Sequence, residues 1–250
     1  MLTYSPPSEI QPVKPTERPW LLFLLCVIWV LPGLIGHNPW KPDEPAAIAI
    51  IDAMLKSGNW LMPTLLGEPM LDRSPFYYQV AALFAKVLAP HWLAVHDAAR
   101  LATGMFVALT LTFCGGAARE LLGRRLGRVV VIVLIGCFGL VVRGHALSSE
   151  VATLCGFALA FYGMVLALRL PGIAGLALGV GIGLAGASAS LFEPTMLALV
   201  AILLPVFFRY WRTREYLMTL VLGGLLALPW LVLWPLWLWK SSPELFVQWW

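Results

Sequence analysis

The chain has 250 residues, of which 60% are hydrophobic and only 12% charged, and its formal net charge at pH 7 is +4. Soluble domains carry about 25% charged residues, so this composition excludes an ordinary water-soluble enzyme and indicates a membrane protein. The apolar runs are continuous rather than alternating, which favours helices over a β-barrel. The basic residues gather in particular loops, which is a signal of membrane orientation and not of nucleic-acid binding.

The first apolar run, residues 20–35, follows a polar, proline-rich tail. Because no small-x-small cleavage site follows it, we expect a retained signal anchor. Six later runs are interpreted as further spans: 101–118, 129–142, 150–168, 172–190, 194–208 and 216–239. The run at 76–89 is shorter than the ~20 residues that a spanning helix needs and holds Gln79 and Lys86, so we expect an interfacial or re-entrant segment. The sequence therefore predicts seven spans.

This arrangement predicts a multi-pass protein of the cell inner membrane, with residues 1–19 as a cytoplasmic tail and residues 37–97 as an external loop. Most basic residues then fall on the cytoplasmic side, as the positive-inside rule requires: Lys14, Arg18, Arg119, Arg124, Arg125, Arg128, Arg169, Arg209, Arg212 and Arg214. Most carboxylates fall on the external face: Asp43, Glu44, Asp52, Glu68, Asp72, Asp97, Glu150, Glu193 and Glu244. Such a face is typical of a reaction surface, although solvated loops would produce the same asymmetry.

Cysteines and glycines inside the apolar runs receive structural interpretations. The four cysteines have no metal-ligand spacing, so we expect small buried hydrophobic side chains. The glycines of residues 172–186 recur at spacings that favour close packing of helices. The sequence thus predicts no metal site at the cysteines.

Asp43 and Glu44 open an amphipathic segment that we expect to lie in the membrane plane. The predicted apolar face is marked by Ile48, Ile51 and Leu55, with Ala47, Ile50 and Met54 beside it. Two roles remain open for the acids. In the first role, Asp43 or Glu44 caps the helix, with Pro45 in its first turn. In the second role, a carboxylate fixed at the aqueous edge takes part in the reaction. The two roles are compatible.

Arg73 and the pair Arg143 and Glu150 supply further charges beside the apolar runs. Arg73 lies at the expected head-group level, where a guanidinium can bind a phosphate through two parallel hydrogen bonds. The alternative is a surface ion pair with Asp72 or Glu68. For Arg143 the alternative interpretation is a side chain that snorkels to the membrane interface. This does not apply to Glu150, which must pair with a cation or reach water.

Several motifs follow one another in a fixed order: Trp40-Lys41-Pro42-Asp43-Glu44-Pro45, Met54-Leu55-Lys56-Ser57-Gly58-Asn59-Trp60, Pro63, Leu66-Gly67, Asp72-Arg73-Ser74-Pro75, Tyr77-Tyr78, Arg143-Gly144-His145, Glu150 and Leu228-Pro229-Trp230. This order resembles the polyprenyl-phosphate-dependent GT-C glycosyltransferases, which include the protein O-mannosyltransferases and the aminoarabinose transferases of lipid A. The resemblance covers nearly the whole chain. It implies an all-α integral membrane fold, a multi-pass helical bundle of GT-C type with an external loop bearing interfacial helices. Residues 1–250 would be its N-terminal half and residues 37–97 its catalytic loop.

The resemblance also implies a reaction and its catalytic residues. Such enzymes transfer a sugar from a polyprenyl-phosphate carrier, with inversion, to an acceptor lipid, glycan or protein outside the membrane. Asp43 would be the general base or would orient the acceptor hydroxyl. Glu44 would shape the site or hold a divalent metal ion, which is the one cofactor that the resemblance implies. Glu150 would supply a further acid, where relatives often carry Asp.

The remaining predicted site residues bind substrate. Arg73 stands where relatives often carry Lys and would bind the carrier phosphate, assisted by Arg143. His145 enters beside Arg143 at the external ends of two spans, and Tyr77 and Tyr78 would offer aromatic contacts to the isoprenoid or sugar.

Two other classes of function remain open. A catalytically inactive protein that binds or transports the lipid carrier is favoured by the Glu at position 150 and by the lack of a Lys in residues 188–193, where relatives often have one. A purely structural membrane subunit is the third class. Because the chain is short for the family and ends on Trp249-Trp250, we expect a fragment, a truncated product or a member without activity.

Overall fold

The computed structural model describes residues 19–40, 43–89 and 91–250. Lys41, Pro42 and all but the last residue of the expected cytoplasmic tail lie outside the described residues. The described ranges contain eleven α-helices: α1 (Pro19–Val30), α2 (Asp43–Ser57), α3 (Phe76–Leu88), α4 (Val95–Leu122), α5 (Arg124–Ile135), α6 (Phe138–Arg143), α7 (Ser149–Leu166), α8 (Pro171–Ser188), α9 (Phe192–Phe207), α10 (Arg214–Ser241) and α11 (Pro243–Trp249). A 3₁₀ turn, Arg209–Trp211, joins α9 to α10.

Four helices, α4, α7, α8 and α10, are long and apolar enough to cross a membrane. α1, α3 and α9 are apolar but shorter. The apolar run 129–142, expected as one span, is instead two helices, because the chain turns after Ile135 at Gly136 and Cys137. The Cys137 N–H donates to the carbonyl of Leu134 at 3.0 Å, which closes that turn.

The bundle has two ends that long-range hydrogen bonds define. We call one the upper end, where the Gly36 N–H donates to Asp97 Oδ2 at 3.2 Å. At the lower end, Arg169 Nη2 donates to Glu120 Oε1 at 2.9 Å. Four of the seven predicted spans contain a helix that is long and apolar enough to cross a membrane: α4, α7, α8 and α10. The other three spans stay predictions.

Helix α3, expected as an interfacial or re-entrant segment, has both of its ends beside the first part of α4. Tyr77 at its start bonds Thr103 on α4, and after Leu88 the chain returns to Val95, where α4 begins. Helix α3 therefore lies along the upper part of α4, as a non-spanning segment would.

Helix α2 also packs at the upper end, but its buried face differs from the predicted one. The buried side chains are those of Glu44, Ala47, Ile50, Ile51 and Met54. Ile48 and Leu55, expected on the apolar face, are only partly buried. The face is rotated because a charged residue, Glu44, lies on it, which a hydrophobic pattern cannot anticipate.

A small hairpin interrupts the otherwise helical fold. Strands β1 (Thr64–Leu65) and β2 (Glu68–Pro69) pair antiparallel across Leu66 and Gly67. Both turn residues have positive φ, 54° and 92°, as a tight two-residue hairpin turn requires, and Gly67 meets this requirement without steric cost.

The glycines of α8 pack as predicted. A Cβ atom added at Gly181 would clash with the backbone of Ala160 and with the carbonyl of Gly156 on α7. A Cβ at Gly163 would meet the backbone of α8 at Leu178. Helices α7 and α8 therefore touch backbone to backbone, which small residues allow inside a membrane.

Candidate active site

A buried ion pair joins α2 and α4 at the upper end of the bundle. Arg100 on α4 donates from Nε to Glu44 Oε1 at 2.9 Å and from Nη2 to Glu44 Oε2 at 3.0 Å. Arg100 Nη1 donates to Asp97 Oδ1 at 2.9 Å, one helical turn away. The Arg100 side chain is fully buried and that of Glu44 nearly so. Two parallel hydrogen bonds between opposite charges fix these two helices to each other in position and orientation.

The same two side chains hold the backbone around them. Glu44 accepts hydrogen bonds from the N–H of Trp40 at 2.7 Å and from the N–H of Leu147 at 2.8 Å. Arg100 Nη1 also donates to the carbonyl of His37 at 2.9 Å. Burial raises the pKa of the Glu44 carboxyl, but these hydrogen bonds and the charge of Arg100 together lower it below its usual value. Glu44 is therefore a carboxylate whose hydrogen-bonding capacity is already used.

A second group of side chains at the upper end forms a chain of alternating charges, which we call the charged quartet: Asp43, Arg73, Arg143 and Glu150. Arg143 Nη1 donates to Asp43 Oδ2 at 2.9 Å, and Arg143 Nε lies 3.8 Å from Glu150 Oε2. Arg73 Nη2 donates to Glu150 Oε1 at 3.2 Å. The four side chains come from α2, the segment before α3, α6 and α7, so the fold brings together residues up to 107 positions apart in sequence.

The quartet is accessible to solvent. The exposed fraction of the side chain is 62% for Asp43, 48% for Arg143, 48% for Glu150 and 35% for Arg73. Arg73 is the most anchored of the four, because its Nη1 also donates to Ser149 Oγ at 3.0 Å. The ion pair of Arg73 is thus with Glu150 across the bundle, whereas the alternative interpretation was a surface pair with a neighbour in sequence.

Tyr77 and Tyr78 lie beneath the quartet. The Tyr77 hydroxyl is 2.7 Å from Thr103 Oγ1 and accepts from the N–H of Ser148 at 3.1 Å, and its ring is fully buried. Burial raises the pKa of Tyr77 and that of Tyr78, whose hydroxyl interacts with Ser149 and lies near Arg73. The Tyr77 ring is closed off from solvent in this structure. The substrate contacts of Tyr77 and Tyr78 stay predictions.

His145 turns away from the quartet towards α1. Its Nδ1 lies 2.9 Å from the carbonyl of Val141, and its Nε2 lies 3.0 Å from the carbonyl of Trp29. The imidazole packs against the Trp29 ring at a centroid distance of 4.7 Å and against Gly33, where a Cβ atom would clash with it. These contacts fix the start of the 145–150 loop, and the predicted substrate contact of His145 stays a prediction.

The predicted divalent metal ion finds no fitting set of ligands. Among the described residues, no group of three or more His, Cys, Asp or Glu side chains could hold such an ion. Both Glu44 oxygens pair with Arg100, and the Asp43 and Glu150 carboxylates pair with Arg143 and Arg73. Glu44 bonds to Arg100 and to two backbone N–H groups in this structure, and its metal-holding role stays a prediction.

An apolar cavity of about 400 Å³ opens beside Ser74, Pro75 and Phe76, directly after Arg73 in the chain. Its wall is rich in tryptophan, contributed mainly by α10 and α11: Trp230, Trp234, Trp237 and Trp249. The Phe76 ring packs edge-on against Trp230, and Trp234 Nε1 donates to the carbonyl of Leu61 at 2.8 Å. Arg73 thus lies, in the chain, directly before three residues that line a pocket for an apolar group.

Sequence reasoning missed Arg100 as a site residue. Its signal was available, because Arg100 follows Asp97 by three positions at the start of an apolar run, where an unpaired charge is costly. What the sequence could not supply was its main partner, Glu44, which lies 56 positions earlier. Ser149 was missed as well, since a serine beside Glu150 carries no signal of a contact with Arg73.

Comparison with known proteins places this geometry in a class. The chain is 30% identical over 221 residues to undecaprenyl phosphate-α-4-amino-4-deoxy-L-arabinose arabinosyl transferase 1 of Sodalis glossinidius. The matched region covers 84% of this chain and 39% of that protein. It is 33% identical over 95 residues to the transferase of the same name, without a number, from Pseudomonas savastanoi, covering 38% of this chain and 18% of that one. No family model matches the sequence.

The fold agrees with these relatives. The crystal structure of ArnT from Cupriavidus metallidurans bound to undecaprenyl phosphate superposes with a TM-score of 0.80 at 19% identity, over 90% of this chain and 42% of that chain. The apo structure of the same protein gives a TM-score of 0.79 over the same shares.

The fold is therefore an all-α, multi-pass helical bundle of GT-C type, as in the solved ArnT structures. Over 84% of its own length, the chain is similar to an undecaprenyl-phosphate aminoarabinose transferase. It spans about two fifths of the length of the Sodalis relative and of the solved structure.

Proposed function

We propose that this chain is the N-terminal part of an inverting glycosyltransferase, which moves a sugar from a polyprenyl-phosphate carrier to an acceptor lipid, glycan or protein. The names of the relatives support undecaprenyl phosphate as the carrier. The single observation that carries the proposal is the charged quartet, in which two guanidinium groups meet at an accessible surface next to an apolar, tryptophan-rich cavity. This combination suits a ligand with an anionic head and an apolar tail.

Arg73 and Arg143 would bind the phosphate of the carrier. Their contacts converge on one carboxylate, Glu150, at 3.2 and 3.8 Å, so an anion that enters between them would exchange with Glu150. Guanidinium groups suit this task, because each can donate two parallel hydrogen bonds to phosphate oxygens. Glu150 then holds the two cations together before the carrier arrives and remains in the site as its second acid.

Asp43 would be the general base, or would orient the acceptor hydroxyl. Its carboxylate is the most exposed of the quartet and makes one described ion pair, to Arg143. An inverting displacement needs a base on the face of the sugar opposite the leaving group, and the accessible Asp43 carboxylate would lie on that face of the bound sugar.

Glu44, Tyr77 and His145 would act through the backbone rather than on the substrate. Glu44 and Tyr77 accept hydrogen bonds from the N–H groups of Leu147 and Ser148, immediately before Glu150. They would thereby fix the position of Glu150 relative to Arg73. Catalytic geometry tolerates little displacement, so such positioning contributes to rate.

We further propose that the upper end faces outward from the inner membrane and that the N-terminus is cytoplasmic. Residues 37–97 are then the external catalytic loop. The arginine-rich loops at the lower end support this orientation through the positive-inside rule. The Sodalis and Pseudomonas relatives support a membrane location.

Sugar transfer tests the proposal. Protein reconstituted in proteoliposomes, with undecaprenyl-phosphate sugar as donor, should release undecaprenyl phosphate in the presence of acceptor. An Asp43→Asn variant should bind the carrier but release little product. Asp52→Asn is the matched control, because Asp52 lies on the same helix and pairs only with Lys56 in the described contacts. Equal turnover by wild type and Asp43→Asn would contradict the assignment of Asp43.

A carrier-binding protein without transferase activity is the second candidate. The observations that favour it are the Glu at position 150, where relatives often carry Asp, and the lack of a Lys in residues 188–193. This candidate predicts tight binding of undecaprenyl phosphate, dependent on Arg73, without release of sugar. The assay above separates the two, since it measures binding and release on the same samples.

A further inference from the structure

The Ser149 side chain is buried but does not cap its own helix. Ser149 is the first residue of α7. The residue before it caps the helix, since Ser148 Oγ accepts from the N–H of Glu150 at 3.3 Å. The Ser149 hydroxyl is instead bonded to Arg73, whose Nη1 donates to it at 3.0 Å. A buried hydroxyl that is not needed for capping therefore serves a guanidinium group of the charged quartet.

The start of α7 is an unfavourable place for a cation, because the N-terminus of a helix carries a partial positive charge. Arg73 nevertheless contacts the first two residues of this helix, through its bond to Ser149 and through Nη2, which donates to Glu150 Oε1 at 3.2 Å. The Glu150 side chain is half-exposed, so water and salt weaken its attraction for Arg73. The bond to the buried Ser149 is the sheltered one of the two that hold Arg73 at this position.

Tyr78 is a second partner of the Ser149 side chain. Its ring is buried, and its hydroxyl interacts with Ser149 and lies near Arg73. A serine hydroxyl has one donor and two acceptor positions, so that of Ser149 can bond Tyr78 while it accepts from Arg73. The main chain next to Arg73 is fixed as well, because the Ser74 N–H donates to the carbonyl of Ala189 at 3.0 Å. Buried groups therefore hold both the backbone and the guanidinium end of Arg73.

We propose that Ser149, supported by Tyr78, is a positioning residue that holds the Arg73 guanidinium in the orientation that receives the phosphate of the carrier. The identity of that ligand rests on the proposed function, whereas the placement of Arg73 by Ser149 is a property of the carrier-free protein. An arginine that is held in advance loses less side-chain freedom when an anion binds, so the affinity rises without a new contact to the ligand. Ser149 acts through Arg73 and need not touch the carrier.

Binding of undecaprenyl phosphate to the purified chain tests this role. Ser149→Ala should bind roughly tenfold more weakly, because a hydrogen bond to a charged group is lost, and Ser149→Thr, which keeps the hydroxyl, should restore binding. In an Arg73→Lys background, which lacks the Nη1 donor, Ser149→Ala should cause little further loss. Ser188→Ala is the matched control, because Ser188 is buried and its hydroxyl has no hydrogen-bond partner among the described residues. Wild-type affinity in Ser149→Ala, or an equal loss in both backgrounds, would overturn the proposal.

A second measurement needs no carrier and separates failure of this inference from failure of the proposed function. Phenylglyoxal reacts with accessible guanidinium groups, and peptide mass spectrometry locates the product. Arg73 should react several times faster in Ser149→Ala and in Tyr78→Phe than in wild type. Arg169, which pairs with Glu120 at the lower end, should react at an unchanged rate. Unchanged reaction of Arg73 in both variants would overturn the positioning role. Faster reaction of Arg73, in a protein whose wild type binds no undecaprenyl phosphate, would support that role and refute the carrier.

Discussion

Glu44 and Arg100 meet through two hydrogen bonds of 2.9 and 3.0 Å, with almost no part of either side chain exposed. A buried pair of this kind is costly to form, because both charges lose their water, and costly to break, because the survivor remains buried without its partner. Glu44 Oε1 also accepts a hydrogen bond from the Leu147 N–H. Its loss would therefore release the loop that positions Glu150.

Replacement of Arg100 by Met should destabilise the protein by about 3–5 kcal/mol, because Glu44 would stay buried and unpaired. The measurement is the thermal midpoint and recovered yield of detergent-purified protein. Arg169→Met is the matched control, since Arg169 pairs with Glu120 at 2.9 Å but is largely exposed, and such pairs contribute about 0–1 kcal/mol. Similar losses in the two variants would show that burial of Arg100 does not matter for stability.

The lowered pKa of Glu44 predicts a dependence of stability on pH. Because its folded-state pKa lies below the unfolded value of about 4.3, the unfolded chain binds the extra proton and stability falls as pH drops below that value. At pH values above the unfolded-state pKa, the contribution of Glu44 to the stability of the protein is fully present. We expect thermal unfolding midpoints of wild type to decline in this acid range more steeply than those of Glu44→Gln. Parallel curves for the two proteins would contradict the shift.

Arg73→Lys should weaken binding of undecaprenyl phosphate moderately and Arg73→Ala severely, because Lys keeps the charge but loses the fork of parallel donors. Binding is measured on purified variants by microscale thermophoresis. Lys86→Ala is a control for general loss of charge, since Lys86 lies on α3 over the Trp60 ring. Unchanged affinity in Arg73→Ala would remove Arg73 from the site.

The proposed orientation predicts that Leu122 and Ser57 face opposite sides of the membrane. Leu122 is exposed at the lower end of α4, and Ser57 is exposed at the end of α2. In a background without the four native cysteines, single cysteines at these two positions should react with an impermeant maleimide from opposite sides of spheroplasts. Reaction of both from the outside would reverse the predicted topology after residue 90.

Much of the fold was available from the sequence, because hydropathy and charge act locally. The start of a helix at Asp43, the short α3 and the close packing of α7 on α8 all follow from such patterns. The break after Ile135 was missed, since residues 129–142 are uniformly apolar and a turn inside a bundle needs no polar residue. Gly136 itself has φ −78° and ψ −7°, a conformation that any residue adopts, so the sequence of this run carries no clear signal of the turn.

The candidate site was predictable in composition but not in pairing. The sequence identified Asp43, Arg73, Arg143 and Glu150 because charge beside apolar runs is costly without a reason. It could not distinguish the exposed Asp43 from the buried Glu44, one position away, since that difference is set by Arg100 on another helix.

The hydrogen bond between Glu44 and Leu147 has a consequence for biosynthesis. These two residues are separated by 103 positions, which a ribosome adding ~5–20 residues per second needs about 5–20 s to traverse. Throughout that interval α2 has emerged while the loop that completes its hydrogen bonds has not. The segment must wait in its hydrated form at the membrane surface, where proteases and chaperones meet it, until α6 has been inserted.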